Sequence, residues 1–167
     1  MRPGLSLIEI IVYIAILAVL STIALNTLLL IHSSLAEIRV MRSLNAAAAV
    51  AMERTTRTIR DAKAVNISGS TLGASPGLLS LTGSESAPRT YVFSRDAANA
   101  LTLDSGSGPA ALTPTGIAVT KLVFHLIAAG STTQAVKVEL TLSAATRRTV
   151  TEQNFFNTAV LRGSYAP

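Results

Sequence analysis

The chain has 167 residues, 49% of them hydrophobic but only 4% aromatic, which suits one modest aliphatic-cored domain plus an extension and excludes a large enzyme. It has no cysteine, so disulfides and thiolate metal sites are excluded. The net charge of +5 is dispersed, with no Lys/Arg run longer than Arg147-Arg148 and no aromatic ladder beside it, so it reads as ordinary solvated charge with at most a weak pull on polyanions.

The chain opens on "MRPGLSLIEIIVYIAILAVLSTIALNTLLLIHSS". Ile10 to Ile31 carry no formal charge over 22 residues. As a helix this run would be roughly 33 Å long, sufficient for the hydrocarbon core of a bilayer. Ser21, Thr22, Asn26 and Thr27 interrupt it mildly, and their side chains can bond within the helix. A cleaved signal peptide is the competing reading. It requires small residues after the apolar run, whereas here three Leu and an Ile continue it, so the run is expected to be retained.

Glu9 is the exception inside this apolar start. A carboxylate at the centre of a membrane helix costs about 2.5–3.5 kcal/mol, less near the interface, and marks a partner or a function. The alternative is a charge that reaches the headgroups from the helix end.

The residues around it, Gly4-Leu5-Ser6-Leu7-Ile8-Glu9 leading straight into a long apolar helix, resemble the processing motif of type IV pilins and pseudopilins. The resemblance implies a prepilin peptidase that cuts between Gly4 and Leu5 and methylates the new amine of Leu5. It also implies assembly with other pilin-like subunits through Glu9, whose carboxylate pairs with the amine of a neighbouring chain. That amine would have a pKa of about 8 and be mostly protonated at neutral pH. Pairing relieves a buried charge and favours one axial register. The chain departs from the family pattern at Leu5, where Phe is common, and at Asn26, in a region where major pilins tend to carry a helix-breaking proline.

"HSSLAEIRVMRSLNAAAAVAMERTTRTIRDAKAV" continues the helix. Leu35, Ile38, Met41, Asn45, Ala48, Met52, Thr55 and Ile59 recur at three- and four-residue spacing and form the expected inward face. Arg39, Arg42, Arg54, Arg57 and Arg60 lie off it. Met41 and Met52 read as core gap fillers rather than a binding stripe. His32 falls where an interfacial polar residue belongs.

After Lys63 the period shortens. "AVNIS", "GLLSLTG", "RTYVFSRD", "NALTLD", "TKLVFHLIA", "QAVKVELTLSA" and "RTVTEQNFFNTAVLRG" read as strands of an antiparallel meander, with "DSGSGPA" and "AAGSTTQ" as turns or loops. The expected fold class is α+β: a long N-terminal helix with an antiparallel sheet packed on its second half. The expected divisions are a leader at 1–4, a hydrophobic helix at 5–32, its amphipathic continuation at 33–62 and a β-rich head at 63–167. The head is loosely similar to those of minor pilins and minor pseudopilins.

No catalytic constellation stands out. His32 and His125 do not make a metal pair, no G-x-S-x-G elbow occurs, and Glu85, Asp96 and Asp104 read as solvated loop acids rather than calcium ligands. No cofactor and no enzymatic activity are expected. The resemblance implies a structural subunit of a pilus or a type II secretion pseudopilus. It would be anchored once in the cytoplasmic membrane with its head outside the cytoplasm, and its partners would be the peptidase, sister subunits, the inner-membrane assembly platform and lipid. A second class, a module that captures DNA or a surface, rests on the scattered Arg alone.

Overall fold

A computed structural model of the chain describes residues 7–83, 89–129, 133–145 and 149–164. One α-helix, α1 (Leu7–Asp61), is followed only by antiparallel strands and a short 3-10 turn, Arg162–Ser164. The expected α+β class is therefore observed. No Gly or Pro interrupts α1. Its hydroxyl side chains turn back onto the helix: Thr22 Oγ1 donates to Ala18 O at 2.9 Å, Thr27 Oγ1 to Ile23 O at 2.9 Å. The helix continues unbroken through Asn26.

The chain divides into two compact units, the first ending at Arg39 and the second beginning at Val40. In the first, every residue from Leu7 to Leu35 is exposed, including all of its large aliphatic side chains. This part of α1 is long and apolar enough to cross a membrane. A helix that is apolar on all faces requires an apolar surround.

The second unit holds the core. The face of α1 that packs inward is Leu44, Ala47, Ala48, Ala51, Met52, Thr55, Thr58 and Ile59. Ala48, Met52, Thr55 and Ile59 match the face expected from periodicity, and Met52 is the gap filler anticipated. Leu35, Ile38, Met41 and Asn45 are instead exposed. Three alanines, at 47, 48 and 51, bring the helix close to the strands. A stripe picked by large residues alone misses this face.

The strands form two sheets rather than one meander. The first has five strands in order β1 (Ala62–Val65), β2 (Leu79–Gly83), β3 (Thr90–Arg95), β4 (Leu101–Asp104) and β5 (Pro109–Ala111). The second has three: β6 (Ile117–Ala129), β7 (Thr133–Ala145) and β8 (Val150–Val160). All pairings are antiparallel. The stretch read as the loop "DSGSGPA" is a turn only in part. Asp104 Oδ1 accepts from the backbone N–H groups of Gly106 (2.8 Å) and Gly108 (3.2 Å), and Pro109–Ala111 then pair with β4. A three-residue strand of Pro-Ala-Ala has no alternation by which to announce itself.

Both sheets and α1 share one core. Leu79, Leu81, Phe93, Leu101 and Leu103 come from the first sheet, and Val119, Leu122, Phe124, Val136, Val138, Leu140 and Leu142 from the second. Gln134 ties the sheets together: its Oε1 accepts from Val65 N at 3.1 Å, and its backbone O from Leu161 N at 3.0 Å. The 71–78 loop lies along the edge of β6, with Gly73 N bonded to Phe124 O and Gly77 N to Leu122 O, both at 2.8 Å.

Candidate functional site: the helix carboxylate and the surfaces of the head

Glu9 lies in the first turn of α1, among the exposed side chains of Leu7, Ile8, Ile10 and Ile11. A carboxylate there complements the positive end of the helix dipole. One turn on, the Tyr13 phenol donates to Glu9 Oε1 at 3.4 Å, longer than a full-strength O–H···O bond. Gly4, Leu5 and Ser6 lie outside the described residues, as do Glu85 and the Arg147-Arg148 pair.

The other residues singled out from the sequence do not converge. His32 belongs to the first unit and His125 to the second. Asp96 closes the turn after β3, accepting from Ala100 N at 2.6 Å, and Asp104 closes the turn after β4. Among the described residues no three metal-capable side chains cluster. Met41 is 42% exposed and fills no core gap.

Two polar constellations escaped the sequence reading. The first is on the outer face of the three-stranded sheet. Glu139 stands opposite Val123 on β6, so Lys121 and His125 are its diagonal neighbours. Glu139 accepts from Lys137 Nζ at 2.8 Å and from Lys121 Nζ at 3.3 Å, and His125 Nε2 lies 3.5 Å from it. The hydrogen bond from Lys137, with help from Lys121, holds the Glu139 carboxyl below its ordinary value; desolvation opposes this without overcoming it. Lys137 also sits 5.7 Å from the centroid of the Phe156 ring. Only the register of β6 on β7 assembles this group, so spacing along the chain gave no sign of it.

The second is a polar groove of about 620 Å³ at the seam between the end of α1 and β8. Glu53, Thr56, Arg57, Arg60 and Asp61 form one helical stripe along it, faced by Asn157 and Arg162. Asn157 Nδ2 donates to Thr56 Oγ1 at 2.7 Å. Glu53 and Arg57 form an exposed pair at 3.3 Å. Among the described residues, Arg60 and Arg162 have no carboxylate within ion-pair distance. The signal available in the sequence was the i, i+3, i+4, i+7, i+8 spacing of polar residues beside the inward face.

No family model matches the chain, and neither do any curated protein or solved structure. The functional reading therefore rests on the chain's own residues.

Proposed function

We propose that the chain is a structural subunit of a pilus-like filament, a minor pilin or pseudopilin of a type IV pilus or type II secretion pseudopilus. In this reading a prepilin peptidase cuts between Gly4 and Leu5 and methylates Leu5. The hydrophobic part of α1 spans the cytoplasmic membrane once, with the head outside the cytoplasm, until the assembly platform moves the subunit into a filament.

The observation that supports it is Glu9. It is the one formal charge among the described residues between Leu7 and Ile31, and it sits at the start of a helical segment, Leu7 to Leu35, whose apolar side chains are all unburied. Such a helix needs lipid or other helices around it. Within that surround a carboxylate is stabilised by a cation beside it. Cleavage after Gly4 supplies one as the α-amine of Leu5. In a staggered bundle this amine can reach the Glu9 carboxylate of a neighbouring chain. The head then serves as the surface the filament displays, and the role is structural rather than enzymatic.

Mass spectrometry of membrane fractions tests the processing step. Cells with an active prepilin peptidase should contain a chain that begins at methylated Leu5. A chain that retains Met1 through Gly4 in those cells would refute processing.

A further inference from the structure

The two sheets have four edge strands among the described residues, and three of them are defended. At β1, the Val65 N–H is taken by Gln134, and the 3-10 turn packs so close that a Cβ on Gly163 would lie 2.5 Å from Lys63 Cα. β5 is three residues long and begins with proline. β6 is covered: Gly73 and Gly77 bond to Phe124 O and Leu122 O, Val119 N donates to Asn99 O at 2.7 Å, and Arg95 Nη1 donates to Val119 O at 3.2 Å.

β8 is the exception. It runs for 11 residues with no Pro or Gly, pairs with β7 without a register shift, and carries one charge, Glu152. Among the described residues, the backbone of β8 makes no hydrogen bond to another segment on the side away from β7. Thr158 N–H donates to the side-chain Oδ1 of the preceding residue, Asn157, at 2.8 Å. Natural sheets blunt such edges with charge, proline or bulges, because an open edge recruits another strand. Here proline and bulges are absent and Glu152 is the one charge, while Phe156 and Val150 stand exposed on it.

The groove described above begins where this edge ends. Asn157 of β8 forms part of its wall, and Arg162 comes two residues after the end of the strand. The edge is acidic near its start, at Glu152; the groove at its end is basic on balance, because Glu53 is paired with Arg57 and Asp61 alone stands against Arg60 of α1 and Arg162.

We infer that β8 accepts an extended segment of a partner polypeptide as an added antiparallel strand. The segment carries carboxylates in its N-terminal half, where it meets the arginine groove, and a basic residue in its C-terminal half, opposite Glu152. Main-chain bonds to the open edge supply the attraction, and the charge order fixes direction and register. The inference is independent of the pilin-like reading, because it uses only residues of the second unit.

The probe is a labelled peptide of about twelve residues, long enough to run the length of β8. It alternates Val and Thr, with two Glu at its N-terminal end and one Lys at its C-terminal end; a second peptide carries the same charges in reverse. Anisotropy with the full chain in detergent micelles reads affinity, and amide hydrogen exchange reads location. The first peptide should bind more tightly than the second and slow exchange along Val150–Val160. The double variant Arg60→Glu, Arg162→Glu keeps both exposed positions soluble and should weaken the first peptide by about tenfold. Equal affinity for the two peptides would overturn the inference. So would protection confined to Leu7–Ile31, which would mean adsorption to the apolar helix, or unchanged binding by the charge-reversed variant.

Discussion

Asn157 of β8 donates its side-chain amide to the Thr56 hydroxyl of α1 at 2.7 Å, across 101 residues of sequence. The bond ties the edge strand to the helix within the lining of the arginine groove. A partly buried neutral bond of this kind contributes about 1 kcal/mol. Asn157→Ala and Thr56→Val should each lower stability by about that amount, and the double variant by less than the sum. Urea unfolding of the four species in micelles checks this; full additivity would mean that the two side chains do not interact.

Leu44 and Leu35 distinguish the helix face that packs from the one that periodicity suggested. Leu44 is fully buried in the core of the second unit, and Leu35 is exposed. Leu44→Ala should cost about 2–5 kcal/mol, by lost transfer energy and the cavity left behind. Leu35→Ala should leave the stability of the head within about 0.5 kcal/mol. Chemical denaturation followed by head signals compares the two, and similar losses would mean the inward face is misassigned.

Gly163 lies against β1 with no room for a side chain, its added Cβ meeting Lys63 Cα at 2.5 Å and Ala62 O at 2.9 Å. Both contacts are with backbone, which cannot swing aside. Gly163→Ala should therefore destabilise by roughly 1–3 kcal/mol. Its thermal midpoint should fall below that of Gly106→Ala if close approach at this position outweighs the strain of the positive φ at Gly106, where nothing lies within 4 Å of the added atom.

Glu139 gives the head an acid-side pH dependence. Its folded carboxyl titrates below the ordinary 4.5, so its contribution is fully present above that value and is lost as pH falls through the lower, folded value. Lys137→Met removes the closest donor, so the decline in thermal midpoint on acidification should be shallower in the variant. Parallel declines in the two proteins would show that Lys137 does not hold the carboxylate.

Glu9→Ala tests the proposed assembly role. Removing a charge from an apolar helix should leave membrane insertion intact or improve it, while incorporation into filaments falls several-fold because the amine of the neighbouring chain loses its partner. Immunoblots of membrane and sheared-filament fractions read both. Wild-type incorporation by the variant would remove the pairing argument.

Much of the fold was legible because it rests on local pattern. The unbroken apolar run, the absence of Gly and Pro through α1, and the change from helical to alternating spacing after Lys63 fix a long helix followed by strands. Ala47 and Ala51 were passed over because a small side chain gives little periodic signal, yet closeness to a sheet is what makes it bury. β5 was missed because pairing to β4, not its own composition, makes Pro109–Ala111 a strand.

The sequence alone determined Glu9, its apolar setting and the motif that precedes it, since these depend on residues next to one another in the chain. The tertiary structure decided what faces what in the head. The split into two sheets, the gathering of Lys121, His125 and Lys137 around Glu139, and the open edge of β8 beside Arg60 and Arg162 all follow from register and packing. Those are long-range choices made by burial and hydrogen bonding between distant segments, and no local pattern encodes them.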